Sequence, residues 1–346
     1  MAGVALRALA LANPPHVLTQ AAAKAGARRL FADRLDELDR RLQLFDHCGI
    51  ERRRIALPVE AYLEPMGFGR RNGIFLDTAL DLLELATSRA LEAAALDPGA
   101  IDAVVTVCST GIATPSLEAR LAERIGLRDD LMRTPLFGLG CAGGVLGLAR
   151  AADLARARPG SRVLLLVVEL CSLALRWSDA SLANLVACAL FGDGAAAAVL
   201  EAGGVGPRIG PAGEVRFPGT LEVMGWRIED DGLGVLFAPS VPEIARDRLG
   251  PALAAFLSRH GIEAENVDRW LCHPGGAKVL AALERALPPP AAGLEHARAV
   301  LAEFGNMSAP TVLFVLDRAL AEPGWQRGVL IALGPGFTAG FTVIER

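Results

Sequence analysis

The feature that most constrains the fold is a succession of elements that occurs twice along the chain. The first copy reads "IDAVVTV" and then "LGCAGGVLGLARAADLARARPGSRVLLLVV"; the second reads "NVDRWLC" and then "FGNMSAPTVLFVLDRALAEPGWQRGVLIAL". Asp102 lies 39 positions before Cys141 (141 − 102), and Asp268 lies 38 before Asn306 (306 − 268). The next Pro-Gly pair comes 18 positions after the cysteine (159 − 141) and 17 after the asparagine (323 − 306). This spacing predicts two pseudo-symmetric α/β halves; the alternative is chance agreement among common strand-to-helix spacings.

Hydrophobic periodicity also predicts an α/β chain. Predicted strands cover 101–110, 161–169, 194–201, 267–272, 328–333 and 338–344, and predicted helices cover 20–45, 74–96, 276–287 and 308–321, with another from Pro115. The Gly/Pro-rich segment at 201–220 is the best candidate boundary. We therefore expect an N-terminal half at 1–210 and a C-terminal half at 211–346. If the repeat is real, Cys141 and Asn306 occupy equivalent helix N-termini and meet at one central site.

Composition narrows the classes of function. The chain has 346 residues, 52% of them hydrophobic, and its 35 Lys and Arg against 39 Asp and Glu give a net charge of −4. Since no block of one sign occurs, neither nucleic acid nor anionic membrane is expected as a partner. The six cysteines form no CxxC pair, which argues against a disulfide framework or a metal site. Arg7 interrupts the apolar start, and no apolar run reaches the ~18 residues of a membrane span, so we expect a cytoplasmic protein without an integral membrane segment.

Cys141 is the first candidate for chemistry. It stands in "GLGCAGG", among glycines at the predicted start of a helix. A helix N-terminus stabilises a thiolate, so we expect a lowered pKa and a nucleophilic sulfur. The glycines leave room for a substrate and let main-chain N–H groups face an acyl oxyanion. A structural cysteine in a close-packed glycine turn is the alternative.

His273 and Asn306 are the candidate partners of this thiol. His273, in "RWLCHPGG", follows a predicted strand and should project from the carboxyl edge of the sheet, where α/β sites form. Asn306, in "FGNMSAP", follows a glycine. Its side-chain amide could donate to a developing enolate, and its alternative is an ordinary helix N-cap.

Five motifs together carry a family resemblance: "GCAGG" (140–144), "LFGDGAA" (190–196), "CHPGG" (272–276), "FGNMSAP" (304–310) and "LGPGFT" (333–338). In this order the chain resembles the type III polyketide synthases, the chalcone-synthase-like branch of the thiolase fold. The resemblance implies a layered α/β/α/β/α core and a homodimer. It also implies acyl-CoA and malonyl-CoA as substrates, with no metal, cofactor or carrier protein. Cys141 matches the acyl-accepting nucleophile, and His273 and Asn306 match the pair that holds the thioester carbonyl.

The same resemblance implies residues that shape the cavity. Phe191 matches the aromatic gatekeeper between the coenzyme A tunnel and the cavity. A second gatekeeper position falls on Val235, with Phe237 two residues later. Gly334 and Gly336 belong to a glycine loop that shapes the cavity.

Further residues of the family pattern concern coenzyme A and the starter. The basic cluster that meets coenzyme A phosphates falls on Arg52, Arg53 and Arg54, for which a solvated basic turn is the alternative. Cys108 and Thr110 should lie near the cavity, and Cys171 stands where side-chain size tunes the starter. The segments around them look most like bacterial members that make alkylresorcinols or alkylpyrones from long fatty acyl starters.

Two other functions remain as alternatives. A ketoacyl carrier-protein synthase shares the Cys, His and Asn trio, but usually follows its histidine with Gln-Ala-Asn, whereas this chain has Pro-Gly-Gly. A binding protein on a thiolase fold would have an inert trio. A dinucleotide-binding reading of "GLGCAGG" lacks both the GxGxxG pattern early in the chain and the acidic residue about 20 positions on.

Overall fold

The computed structural model describes residues 3–289 and 294–346. The helices in this part of the chain are α1 (Gln20–Phe31), α2 (Leu38–Arg41), α3 (Leu44–His47), α4 (Phe68–Ala94), α5 (Leu117–Ile125), α6 (Gly143–Ala157), α7 (Leu182–Leu190), α8 (Val241–Arg259), α9 (Ala277–Ala286), α10 (Leu294–Phe304) and α11 (Thr311–Ala321). The strands are β1 (Val4–Ala12), β2 (His16–Thr19), β3 (Arg52–Ile55), β4 (Ala103–Val107), β5 (Met132–Leu136), β6 (Arg162–Leu170), β7 (Asp193–Ala202), β8 (Arg208–Arg216), β9 (Met224–Glu229), β10 (Gly232–Phe237), β11 (Arg269–Cys272), β12 (Arg327–Gly334) and β13 (Thr338–Glu345).

Nine strands form one mixed sheet in the order β11-β12-β13-β8-β1-β7-β6-β4-β5. The same arrangement occurs on both sides of the β8–β1 contact. In the first half β4 and β6 are parallel, β6 pairs antiparallel with β7, and β7 pairs antiparallel with β1. In the second half β11, β12, β13 and β8 repeat this pattern. The predicted pseudo-symmetric α/β fold is confirmed: α6 lies between β4 and β6 along the chain, as α11 lies between β11 and β12.

Helix α6 is the centre of the core. It contacts strands of both halves as well as α11. Residues 143–149 are all buried, as expected for a helix that is apolar on every face. Gly144 permits the close approach to the second half, because a Cβ there would lie 2.2 Å from the carbonyl oxygen of Ala309. The start of α6, which carries Cys141 just before it, is therefore held between the two halves.

Some sequence predictions differ from the structure. The predicted helix at 20–45 ends at Phe31, and residues Asp33 and Glu37 have positive φ where the chain turns before α2. The segment at 201–220 contains strand β8, so the division at 210/211 falls inside a strand, and this division stays a prediction. Strand β1, helix α8 and the β9–β10 hairpin were not predicted from the hydrophobic periodicity. Helix α8 contains Pro251, which interrupts a helical pattern.

No helix among the described residues is both long and apolar enough to cross a membrane.

Candidate active site

The structure brings Cys141, His273 and Asn306 to one pocket, here called the thiol pocket. Cys141 lies in a 3-10 turn, Gly140–Ala142, that leads into α6. The Sγ atom of Cys141 lies 4.0 Å from Oδ1 of Asn306. The remaining lining residues come from the β9–β10 hairpin, α8, the loop before α9, α9 and β12: Met224, Phe237, Val241, Gly275, Val279, Leu283, Ile331, Ala332 and Leu333. The pocket is thus built from both halves of the chain.

His273 follows directly on strand β11. Its main-chain N–H donates to the carbonyl of Ile331 at 2.8 Å, which extends the pairing of β11 with β12 by one residue. The side chain is 4% exposed, and neither Nδ1 nor Nε2 has a hydrogen-bond partner among the described residues. A buried ring nitrogen without a partner is costly, so the site favours a polar group of a substrate beside this imidazole.

Asn306 is held by its main chain and its side chain. Its N–H donates to the carbonyl of Leu190 at 2.8 Å, and its own carbonyl accepts from the N–H of Gly192 at 3.0 Å. Its Oδ1 accepts from the N–H of Ser308 at 2.8 Å, and its Nδ2 donates to the carbonyl of Gly275 at 3.2 Å. Helix α11 begins at Thr311, so Asn306 does not cap it, and the N-cap alternative is wrong.

Burial determines the charge of the resting site. It raises the pKa of the Cys141 thiol to about 11, and the nearby Glu169 carboxyl acts in the same direction, although hydrogen bonds with Ser308 and Asn306 lower the pKa. Burial also lowers the pKa of His273 to about 3. The sequence expectation of a lowered thiol pKa is therefore wrong for the thiol taken alone, because lost hydration outweighs the helix N-terminus. Burial disfavours both a lone Cys141 thiolate and a lone His273 imidazolium. Transfer of the Cys141 proton to His273 forms both charges together and keeps the pair neutral overall.

Phe191 follows α7 directly and forms an isolated bridge with Asn306. Its ring meets that of Trp226 edge-on, with centroids 6.2 Å apart. Phe191 and Cys171 line a second pocket, here called the α1–α7 pocket, whose walls are mainly apolar. Trp226 was not among the predicted site residues, although the alternation of apolar and polar residues in "WRIE" (226–229) indicates a half-buried strand.

The second gatekeeper position needs a correction. Val235 pairs with Trp226 in the β9–β10 hairpin and does not line the thiol pocket. Phe237, two residues later on the same face of β10, is the residue that lines it. Alternation along the strand keeps both residues on one face, and the strand's advance brings only the second to the pocket.

Cys108 and Thr110 are buried just beyond the end of β4. Cys108 lines a pocket with Ile112 and Phe137 and is not among the residues that line the thiol pocket. The hydroxyl of Thr110 donates to the Glu169 carboxylate at 2.7 Å, and the N–H of Ser109 donates to the same oxygen at 2.9 Å. Burial raises the pKa of Glu169 to about 8, and its other oxygen has no partner among the described residues. Neither predicted cavity residue lines the thiol pocket.

The glycine loop packs against the turn that carries Cys141. A Cβ on Gly334 would lie 2.6 Å from the carbonyl oxygen of Leu139 and 2.8 Å from the nitrogen of Ala142. Gly336 has a φ of +115°, which favours glycine. The loop therefore packs directly against the main chain of the turn that carries Cys141.

The basic cluster also needs a correction. Along β3 the residues alternate, so that Arg52 is exposed while Arg53 is only 1% exposed. Arg53 donates to main-chain carbonyls of Cys188 and Phe191, and so cannot reach a phosphate in solvent. Arg52 pairs with Glu303 at 3.0 Å, and Arg54 donates to the carbonyl of Pro15. Successive side chains of a strand point to opposite faces, so three consecutive arginines cannot all lie on the solvent-facing side of β3.

Among the described residues, no three His, Cys, Asp or Glu side chains are grouped so as to hold a metal ion.

Several known proteins are similar to this chain in sequence and in fold. The chain is 43% identical to a 1,3,6,8-tetrahydroxynaphthalene synthase of Streptomyces peucetius subsp. caesius, over 99% of the chain and 93% of that protein. It is 28% identical to the alpha-pyrone synthesis polyketide synthase-like Pks18 of Mycobacterium tuberculosis, over 99% of the chain and 91% of that protein. The crystal structure of the 1,3,6,8-tetrahydroxynaphthalene synthase from Streptomyces coelicolor superposes with a TM-score of 0.92 at 32% identity, covering 99% of each chain.

The family match spans both halves. Residues 3–204 match the N-terminal domain of the chalcone and stilbene synthases, and residues 211–346 match their C-terminal domain. Together with the thiolase-like fold, these matches show that the chain belongs to the chalcone and stilbene synthase family, and is a type III polyketide synthase, an acyltransferase-type condensing enzyme.

Proposed function

We propose that the enzyme extends an acyl group on Cys141 by decarboxylative condensation with malonyl-CoA, with His273 and Asn306 as its partners. The observation that carries the proposal is the meeting of these three side chains in one pocket, where both ring nitrogens of His273 lack protein partners. A thioester carbonyl is the polar group that such a site would accept.

Loading transfers the starter from coenzyme A to the enzyme. Sγ of Cys141 attacks the thioester carbonyl, its proton passes to His273, and the bond to the coenzyme A sulfur breaks. The proton then leaves with the coenzyme A thiolate, which restores the neutral imidazole. Because burial opposes either charge alone, the proton transfer and the attack support each other.

Condensation uses the same donors for a different charge. When the C–C bond between the methylene carbon and the carboxylate of the malonyl group breaks, CO2 leaves. The electron pair of that bond then forms an enolate, whose negative charge lies largely on the thioester oxygen. His273 and the Nδ2 amide of Asn306 would donate to this oxygen, since only one N–H of that amide is used by Gly275. The enolate carbon then attacks the carbonyl of the acyl-Cys141, a C–C bond forms, and the thiolate is released.

For the product, we propose a polyhydroxylated aromatic of the tetrahydroxynaphthalene type, built from malonyl-CoA without a separate long starter. Support comes from the 43% identical relative and from the crystal structure with a TM-score of 0.92, both of which carry that name. A fused ring with oxygens on alternate carbons is the pattern that a folded poly-β-keto chain produces.

A second candidate is a long-chain fatty acyl starter that leads to an alkylresorcinol or alkylpyrone. The α1–α7 pocket favours it, because Cys171 and Phe191 line a mainly apolar space that would suit an alkyl chain. The 28% identical relative named for alpha-pyrone synthesis is consistent with this candidate.

We further propose that the enzyme is a homodimer that needs neither metal nor cofactor. Strand β5 is an edge of the sheet, and beside it Phe137 is 61% and Ile112 50% exposed, an apolar surface that a second copy would cover. Arg52 and Arg54 remain the proposed contacts for coenzyme A phosphates. All six cysteines are free thiols, so the assays should contain a reductant, in keeping with a cytoplasmic setting.

Product analysis tests the proposal. The purified enzyme is incubated with malonyl-CoA alone and with acyl-CoA starters from acetyl to long-chain, and products are identified by mass spectrometry, with Cys141→Ala as the control. Aromatic product from malonyl-CoA alone supports the first candidate, and pyrones or resorcinols formed only with long starters support the second. No turnover of malonyl-CoA by the wild type with any starter would overturn the proposed function in favour of a carrier-protein enzyme or an inert binding protein.

A further inference from the structure

Arg53 is a buried cation without an acidic partner. No carboxylate lies within 4.0 Å of its guanidinium in residues 3–289 and 294–346, and its Nε atom has no hydrogen-bond partner there. Burial lowers its pKa to about 10, and nearby Asp193 and the thiols of Cys48 and Cys188 act in the opposite direction. A charge this deeply buried is retained at a cost, so its contacts call for a functional explanation.

Those contacts are with the end of helix α7. The last carbonyls of a helix have no partner within it, and a cation there also meets the negative end of the helix dipole. Here each of the final carbonyls is bound: those of Cys188 and Phe191 by Nη1 of Arg53 (3.0 and 3.3 Å), that of Ala189 by Nε2 of Gln20 (3.1 Å), and that of Leu190 by the N–H of Asn306 (2.8 Å).

Arg53 and Gln20 act as a unit. Nη2 of Arg53 donates to Oε1 of Gln20, which orients the amide so that its nitrogen faces the helix end. The Gln20 nitrogen also lies 2.8 Å from the Cys48 sulfur and 3.3 Å from the Phe45 carbonyl. The helix end is thereby tied to α1 and α3.

The end of α7 is also connected to the thiol pocket, through the contact between Phe191 and Asn306. Phe191 is the first residue after α7, and it forms the bridge with Asn306 through the N–H of Gly192. The aliphatic part of Arg53 lies against both neighbours of that bridge: a Cβ on Gly192 would be 3.3 Å from the Cβ of Arg53, and one on Gly305 would be 3.4 Å from it. Arg53 thus supports the bridge directly, while remaining outside the thiol pocket.

We propose that Arg53 is a positioning residue for condensation, which acts through the end of α7 to hold Phe191 and the Asn306 amide in register with Cys141. The inference rests on the proposed function, because it assigns Asn306 its role at the enolate. It replaces the coenzyme A contact that the sequence suggested for Arg53.

The first test measures malonyl-CoA decarboxylation by Arg53→Lys and Arg53→Met. Displacement of a positioned donor by a fraction of an ångström to about 1 Å should lower kcat about 10- to 100-fold, with KM within about threefold of the wild type. Arg53→Lys should lose less than Arg53→Met, since it keeps the charge at the helix end. A raised KM that depends on salt, with kcat unchanged, would instead indicate a phosphate contact and overturn the proposal.

A matched control separates positioning from general stability. Arg156 also donates to two main-chain carbonyls, those of Ile209 and Gly210 at 2.7 and 2.9 Å, but does so on β8. Arg156→Met should leave kcat within about twofold of the wild type even where it lowers the unfolding temperature. Gln20→Leu should lower kcat in the same direction as Arg53→Met, and the two effects should combine less than additively. Equal losses in the Arg156 and Arg53 variants would refute a specific role.

Hydrogen exchange tests the proposal without relying on activity. In Arg53→Met, peptides covering 186–193 and 304–308 should exchange faster than in the wild type, whereas peptides from α6 should not change. Exchange that is unchanged in both segments, or raised throughout the chain, would overturn the proposal. If the wild type fails to decarboxylate malonyl-CoA, the proposed function fails, and this exchange pattern still decides whether Arg53 positions the bridge.

Discussion

Replacement of Glu169 by glutamine is expected to flatten the pH dependence of stability and to favour the variant at alkaline pH. Glu169 is fully buried at the end of β6 and accepts hydrogen bonds from the N–H of Ser109 and the hydroxyl of Thr110. Burial nevertheless raises its pKa from an ordinary 4.5 to about 8. Glutamine keeps the shape and one acceptor oxygen but cannot ionise.

The sign follows from the raised pKa. Between pH 4.5 and about 8 the folded protein holds this proton while the unfolded chain has released it, so the free energy of unfolding falls as pH rises. One pKa unit corresponds to about 1.4 kcal/mol, and a shift of this size is worth about 5 kcal/mol across the full range. Over pH 5 to 8, the free energy of unfolding of the wild type relative to Glu169→Gln should therefore fall by about 3 to 4 kcal/mol, since the range ends at the folded-state pKa.

Urea unfolding of both proteins at pH 5, 6, 7 and 8 measures this difference. Asp193, whose pKa burial raises to about 7, contributes to the pH dependence of both proteins and cancels when they are compared. Glu123→Gln, on the exposed side of α5, serves as the control and should follow the wild type at every pH. If the curves of wild type and Glu169→Gln stay parallel within about 1 kcal/mol, the carboxyl is not protonated in the folded state and the reasoning is refuted.

Further predictions concern packing, assembly and loading. Gly144→Ala would place a methyl group 2.2 Å from the carbonyl oxygen of Ala309 and should lower the free energy of unfolding by about 3 kcal/mol. Gly73→Ala, in α4 with nothing within 4 Å of the added Cβ, should raise it by about 1 kcal/mol. Equal shifts of the thermal unfolding temperature in the two variants would contradict this prediction. Phe137→Glu should halve the mass measured by light scattering, and an unchanged dimer mass would count against the proposed interface. Cys141→Ala should remove the acyl adduct seen by intact mass spectrometry after incubation with acyl-CoA, and an adduct that persists would place the nucleophile elsewhere.

The sequence predicted the core of the fold because its signals were local. The repeated spacing of strand, helix and strand became β4, α6 and β6 in one half and β11, α11 and β12 in the other. The sequence could predict that Cys141, His273 and Asn306 share one site, because the ends of equivalent elements meet at a pseudo-symmetric centre. Their roles stay predictions until they are tested in solution.

Other features depend on burial, which the sequence does not record. In "RRRI" nothing tells which arginine faces inward, and the sheet pairing of β3 turned Arg53 to the interior. The thiol pKa depends on how far lost hydration exceeds the field of the helix N-terminus, a balance that requires the packed structure. The β9–β10 hairpin is only six residues per strand, so its periodicity is too short to predict which residues, such as Phe237, reach the pocket.

The division of the reacting groups between the two halves has a consequence for assembly. Cys141 belongs to the half before β8, and His273 and Asn306 belong to the half after it, so neither half contains a complete site. The connection passes through an exposed turn, where Val205 is 87% exposed. Cleavage in that turn would put Cys141 on one fragment and His273 and Asn306 on the other. Condensation activity recovered on mixing the two fragments would therefore report that the fragments have associated.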